Sequence, residues 1–135
     1  MRISGVTEAD LGQPDNSLLG DLSADDRATI EALLPGTALL IVHRGPNAGA
    51  RFLLDTDAVS AGRHPDSDIF LDDVTVSRTH AVFEIAEQGG YQVRDAGSLN
   101  GTYVSRERIG DPVLLANGDE VQIGKFRLVF HAAKS

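Results

Sequence analysis

From residue 38 onward the chain is a series of short aliphatic or β-branched runs, each stopped by glycine, proline, asparagine or aspartate. Residues 39–43, 50–54, 81–85, 91–93, 120–123 and 126–130 are predicted strands on that content. The segments GPNAG, GRHPDSD, EQGG, DAGSLNG, ANGD and IGK stand between them as turns. Turns this frequent leave no room for crossover helices, so the expected fold is all-β, a mostly antiparallel β-sandwich.

The N-terminal part has a different texture. Residues 1–22 are polar, and Gly5, Gly12, Pro14 and Gly20 break any period, which predicts a flexible tail. Ser23 then has the character of a helix N-cap, with Asp25 and Asp26 in the first turn, where carboxylates suit the positive end of the helix dipole. Ala28, Ile30, Leu33 and Leu34 form a narrow apolar face, and Pro35-Gly36 ends it, so a short helix is predicted over 23–34. A helix of that length is marginal alone and needs something to pack on. The expected organisation is an acidic tail with this helix over 1–36, one domain over 37–131, and a C-terminal tail over 132–135.

Composition narrows the function. The 135 residues leave room for one domain, and a body of roughly 100 residues buries enough apolar surface to fold unaided. No apolar run approaches the ~20 residues of a membrane span, and MRISGVTEADLG lacks the apolar centre of a secretory signal. The chain has no cysteine, which removes disulfides, thiolate metal sites and a cysteine nucleophile and fits a cytoplasmic protein. A formal net charge of -8 argues against a nucleic-acid surface, because phosphate backbones are bound by clustered cations. Any phosphate bound here has to be held by donors concentrated at one place.

Three segments concentrate such donors beside arginines. They are Gly62-Arg63-His64-Pro65-Asp66-Ser67-Asp68-Ile69, Val76-Ser77-Arg78-Thr79-His80-Ala81 and Asp95-Ala96-Gly97-Ser98-Leu99-Asn100-Gly101-Thr102. In order and spacing they resemble the forkhead-associated (FHA) family, whose pattern is Gly-Arg, then Ser-Arg-x-His, then Gly-Ser-x-Asn-Gly-Thr. The resemblance covers about residues 37–131 and implies a phosphothreonine-binding module. It places Arg63, Ser77 and Arg78 on the phosphate and Asn100 on the ligand main chain, with Leu99 lining the pocket chiefly through its backbone. It assigns Gly62, His80, Gly101 and Thr102 to structure. The chemistry agrees: a phosphothreonine carries about -1.5 to -2 charges and three acceptor oxygens, which arginine forks and short hydroxyl or backbone donors match. Gly97 and Gly101 permit positive φ in the third loop. Taken singly, Arg63 also reads as a surface arginine after a turn, Arg78 as part of a solvated face, and Ser77 and Asn100 as residues that bond their own backbone.

Other chemistries fit less well. Ser77 and His80 suggest a hydrolase, but no Gly-x-Ser-x-Gly elbow accompanies them, so no enzyme is expected. His43, His64, His80 and His131 do not fall at metal-ligand spacing, and Asp66, Asp68, Asp72 and Asp73 do not match a calcium loop, so neither metal nor cofactor is expected.

Within the FHA family, RGPNAGARFLLD, SAGRHPDSDIFLDDVTVSRTHAVFE and LLANGDEVQIGKFRLVF resemble the actinobacterial oxoglutarate dehydrogenase inhibitors, also called glycogen accumulation regulators. That resemblance implies control of the oxoglutarate dehydrogenase complex and of other glutamate-metabolising enzymes. It also implies a Ser/Thr kinase that phosphorylates a tail threonine, which then docks in the protein's own pocket. The group's kinase site, two adjacent threonines followed by Ser-Val-Phe, is absent from residues 1–36, where Thr7 and Thr29 are the threonines. Thr7, with Asp10 three residues on, is the phosphorylation candidate. The alternative function is a general phosphopeptide adaptor recruited to a phosphorylated kinase or other substrate.

Overall fold

The structure, a computed structural model, describes residues 22–133. The tail before Leu22, and with it Thr7, lies outside the described residues. Among the described residues, one helix, α1 (Ala24–Glu31), precedes eleven strands: β1 (Ala38–Arg44), β2 (Arg51–Leu54), β3 (Ala58–Gly62), β4 (Ile69–Phe70), β5 (Ala81–Ile85), β6 (Tyr91–Asp95), β7 (Thr102–Val104), β8 (Glu107–Arg108), β9 (Val113–Leu114), β10 (Glu120–Ile123) and β11 (Phe126–Ala132).

They form two sheets, ordered β9-β6-β5-β3-β4 and β2-β1-β11-β10-β7-β8. All pairings are antiparallel except β3 with β4. The expected β-sandwich is therefore the fold. Alternate residues of each strand face inward, and Leu40, Val42, Phe83, Val93, Val121, Ile123, Leu128 and Phe130 share one core.

The outward positions of β1 and β11 are buried as well. Leu39 pairs with His131 and Ile41 with Val129, and all four are at most 6% exposed. The N-terminal helix packs on this side, where Asp26 lines a small cavity together with Leu22, Ile41, His43, Val129 and His131. It is clasped from β2, where Arg51 donates to the Thr29 hydroxyl at 2.8 Å and pairs with Asp26 at 3.5 Å.

Ser23 caps α1 as expected, accepting from the Asp26 N–H at 3.0 Å. The helix ends at Glu31, short of the predicted 34, because Ala32 and Leu33 already close its last turn with bonds to Ala28 and Ile30. Its apolar face is not buried: no α1 residue is, and Leu34 is 73% exposed. The helix covers the sheet without burying a stripe of its own.

Candidate functional site

The three motif loops meet where β3 and β6 end and β5 begins. Gly62 closes β3 so near the next loop that a Cβ there would overlap the Arg78 carbonyl, which only glycine avoids. Two rungs continue the contact, Arg63 N–H to the Ser77 carbonyl at 2.9 Å and His64 N–H to the Arg78 carbonyl at 3.2 Å. The Arg63 and Arg78 side chains are exposed, and neither forms an ion pair among the described residues. The Asp68 carboxylate braces the β3–β4 loop from behind by accepting the Ser60 N–H at 3.0 Å.

His80 ties the second loop to the third. Fully buried, it accepts the Ser77 N–H on Nδ1 at 3.1 Å, and its Nε2 stands 2.8 Å from the Gly101 carbonyl. A ring that accepts on Nδ1 has its proton on Nε2, so His80 is the neutral tautomer donating to Gly101. Burial pushes its pKa down against the opposing pull of Gly101 and Asp95.

Asp95, which the motif reading passed over, shapes the third loop. Its carboxylate accepts the Gly97 and Ser98 N–H groups at 2.9 and 3.0 Å, the Thr102 hydroxyl at 2.8 Å and the Ser98 hydroxyl. Burial alone raises the Asp95 pKa, but these hydrogen bonds outweigh it and hold the group below its ordinary value. An aspartate two residues before a glycine is an Asx-turn signature, and that was the signal available in the sequence. Gly101 adopts φ +87°, as the loop composition suggested.

The loops meet at Ser77. Its Oγ accepts the Leu99 N–H at 3.0 Å, and no described residue takes its own proton. The Leu99 N–H is thereby engaged, while its side chain is 85% exposed. Asn100 donates from Nδ2 to the Thr75 carbonyl at 2.9 Å, which leaves its carbonyl oxygen and second N–H without partners among the described residues. Arg63, Ser77, Arg78 and Asn100 thus lie on adjoining loops, with His80 and Thr102 buried beneath them. The site displays free donors around an exposed surface, with Asn100 adding one acceptor. The cavity under α1 shares no residue with it.

Two arginines and a hydroxyl stand on adjoining loops of a β-sandwich, a set of donors whose chemistry suits an anionic group. The chain belongs to the FHA-domain family: the FHA domain model matches residues 59–124. Over 101 residues it is 71% identical to the glycogen accumulation regulator GarA of Mycolicibacterium smegmatis, covering 75% of this chain and 63% of that protein. The chain thus spans less than two thirds of that relative's length. It is 59% identical over 129 residues to the oxoglutarate dehydrogenase inhibitor of Corynebacterium glutamicum, covering 96% of this chain and 87% of that one. Among solved structures, Mycobacterium tuberculosis EmbR in complex with a low-affinity phosphopeptide superposes with a TM-score of 0.66 at 29% identity, covering 90% of this chain and 30% of EmbR.

Proposed function

We propose that this protein binds phosphothreonine through Arg63, Ser77, Arg78 and Asn100 and regulates oxoglutarate dehydrogenase and glutamate metabolism under a Ser/Thr kinase. The observation that carries the binding step is the state of Ser77. One of its two lone pairs takes the Leu99 N–H, and its proton has no partner among the described residues, beside two arginines that form no ion pair among those residues. A phosphate dianion completes that set, since charged donors and a short hydroxyl are its strongest partners. Asn100 then holds the ligand main chain through its free oxygen. The regulatory target follows from the relatives, which are named for inhibiting oxoglutarate dehydrogenase and for regulating glycogen accumulation.

The protein acts by binding in the cytoplasm rather than by catalysis: His80 accepts from the Ser77 main chain on Nδ1 and so does not activate the Ser77 hydroxyl. No helix among the described residues is long and apolar enough to cross a membrane. Thr7 is the proposed kinase site, and its phosphorylated segment the intramolecular ligand.

Calorimetry with paired peptides tests the binding step, with affinity expected for the phosphothreonine form and none for the threonine form; equal binding of both rejects it. The second reading, a general phosphopeptide adaptor, is favoured by the likeness to phosphopeptide-bound EmbR. A pull-down from lysate separates the two readings. Retention of a dehydrogenase complex supports the regulator, and retention of a phosphorylated kinase, lost on phosphatase treatment, supports the adaptor.

A further inference from the structure

Thr75 lies between the first two motifs, in none of them, yet its bonds connect three parts of the fold. Its N–H donates to the Asp73 carboxylate at 2.9 Å, and its hydroxyl donates to the same carboxylate. That hydroxyl also accepts the Lys125 N–H from the β10–β11 turn at 2.9 Å. Its main-chain carbonyl accepts from Asn100 Nδ2. The turn lies so close that a Cβ on Gly124, itself at φ +58°, would overlap the Thr75 hydroxyl.

A hydroxyl that donates to one fixed group and accepts from another has no rotational freedom left. The Thr75 peptide is therefore pinned from both sides, and so is the carbonyl that Asn100 reaches. An exposed carboxamide without that anchor samples several rotamers and presents its oxygen to a ligand for only part of the time. With the anchor, one N–H is committed to Thr75 and the free oxygen and second N–H keep one direction.

We propose that Thr75 is a positioning residue for ligand binding: braced between Asp73 and the Lys125 N–H, it sets the Asn100 carboxamide in the orientation that engages the main chain of a phosphopeptide. The proposal rests on the phosphothreonine-binding reading above. Asp73 serves as the brace, and its carboxylate is held below its usual pKa first by the Thr75 hydroxyl and then by the Thr75 N–H, so the acceptor stays ionised. The phosphate itself is left to Arg63, Ser77 and Arg78.

That division of labour makes the test selective. Thr75→Val preserves shape and removes both hydroxyl bonds, and Thr75→Ser restores them. Affinity for a phosphothreonine heptapeptide is expected to fall roughly three- to ten-fold in Thr75→Val, the range of one hydrogen bond, and to recover in Thr75→Ser. Binding of O-phosphothreonine, which has no flanking main chain, is expected to be unchanged when followed by NMR titration. In an Asn100→Ala background, Thr75→Val is expected to add no further loss. Asp73→Asn, which leaves the Thr75 hydroxyl in place, is expected to lower the ratio of peptide to O-phosphothreonine affinity by a smaller factor, the ratio cancelling the effect of the Asp73 charge on Arg63, and serves if Thr75→Val does not fold. Equal weakening of peptide and free phosphothreonine, or a full loss that persists without Asn100, overturns the proposal. Should wild type bind neither probe, the phosphothreonine reading itself fails. The geometry is then judged by the Asn100 side-chain amide signals, which must shift in Thr75→Val and overturn the proposal if they do not.

Discussion

The Ser77 hydroxyl accepts the Leu99 N–H at 3.0 Å, joining two motif loops whose residues stand 22 positions apart. Neither residue is buried, so the bond contributes little to the core, and its consequence is to tie the third loop to the second while occupying one of the two Ser77 lone pairs.

On the proposed binding mode, Arg63→Ala and Ser77→Ala each remove a charge-assisted bond to phosphate, a class that contributes about 1.5–3 kcal/mol. Each substitution is expected to weaken phosphothreonine-peptide binding about ten-fold or more by calorimetry. Arg63 is exposed, so its melting temperature should stay within a degree or two of wild type. Unchanged affinity in both variants would show that the phosphate sits elsewhere.

Acid stability is set partly by His80 and His131. Burial lowers both pKa values, outweighing the opposing pulls of Gly101 and Asp95 on His80 and of Asp26 on His131, so the unfolded chain takes up protons at these rings before the folded chain does. Their stabilisation is complete above the ordinary value near ~6.5 and is lost as pH falls from there through the lowered folded values. Urea midpoints measured from pH 7.5 downward should decline across that window. His80→Ala also abandons one buried and one half-buried hydrogen bond and leaves a cavity, at a cost of about 3 kcal/mol or more, and should flatten part of the decline.

At Gly62 the limit is space, since its φ is not positive. A Cβ would overlap the Arg78 carbonyl, and backbone cannot move aside as a side-chain tip can. Gly62→Ala is expected to destabilise by about 1–3 kcal/mol and to weaken peptide binding further, because the Arg63–Ser77 rung has to shift. A denaturation curve and a binding isotherm on one preparation check both effects.

The N-terminal helix should be the first part of the described structure to open. It buries none of its own residues, is short, and is held by the Arg51 contacts to Asp26 and Thr29. Native-state hydrogen exchange should show the Ala32 amide exchanging well before those of β1 and β11. Arg51→Ala should speed it roughly two- to five-fold, as loss of an exposed ion pair implies. Exchange of helix and sheet amides in step would disprove this.

Much of this was legible in advance, for local reasons. The predicted strands at 81–85 and 120–123 coincide with β5 and β10, because their β-branched and aromatic content is strong and clear turns bound them. The Ser23 cap was equally plain. β3, with the sequence AVSAG, was missed: alanine, serine and glycine carry little strand preference, and the segment is extended because it pairs with β5. β7 and β8 were missed because Ser105 and Arg106 make the left-handed turn between them, where Asn-Gly would have announced it.

The sequence alone determined the inventory: which loops hold arginines, hydroxyls and glycines, in what order, and that short strands separate them. Tertiary structure decided how that inventory is used. Thr75 became an anchor only because Asn100, 25 positions later, and Lys125, 50 positions later, were folded against it. Likewise β1 is buried on both faces because the helix lies over its outer side. Propensity acts over a few neighbouring residues, whereas these bonds join groups that meet only after loop closure, so no local pattern encodes them.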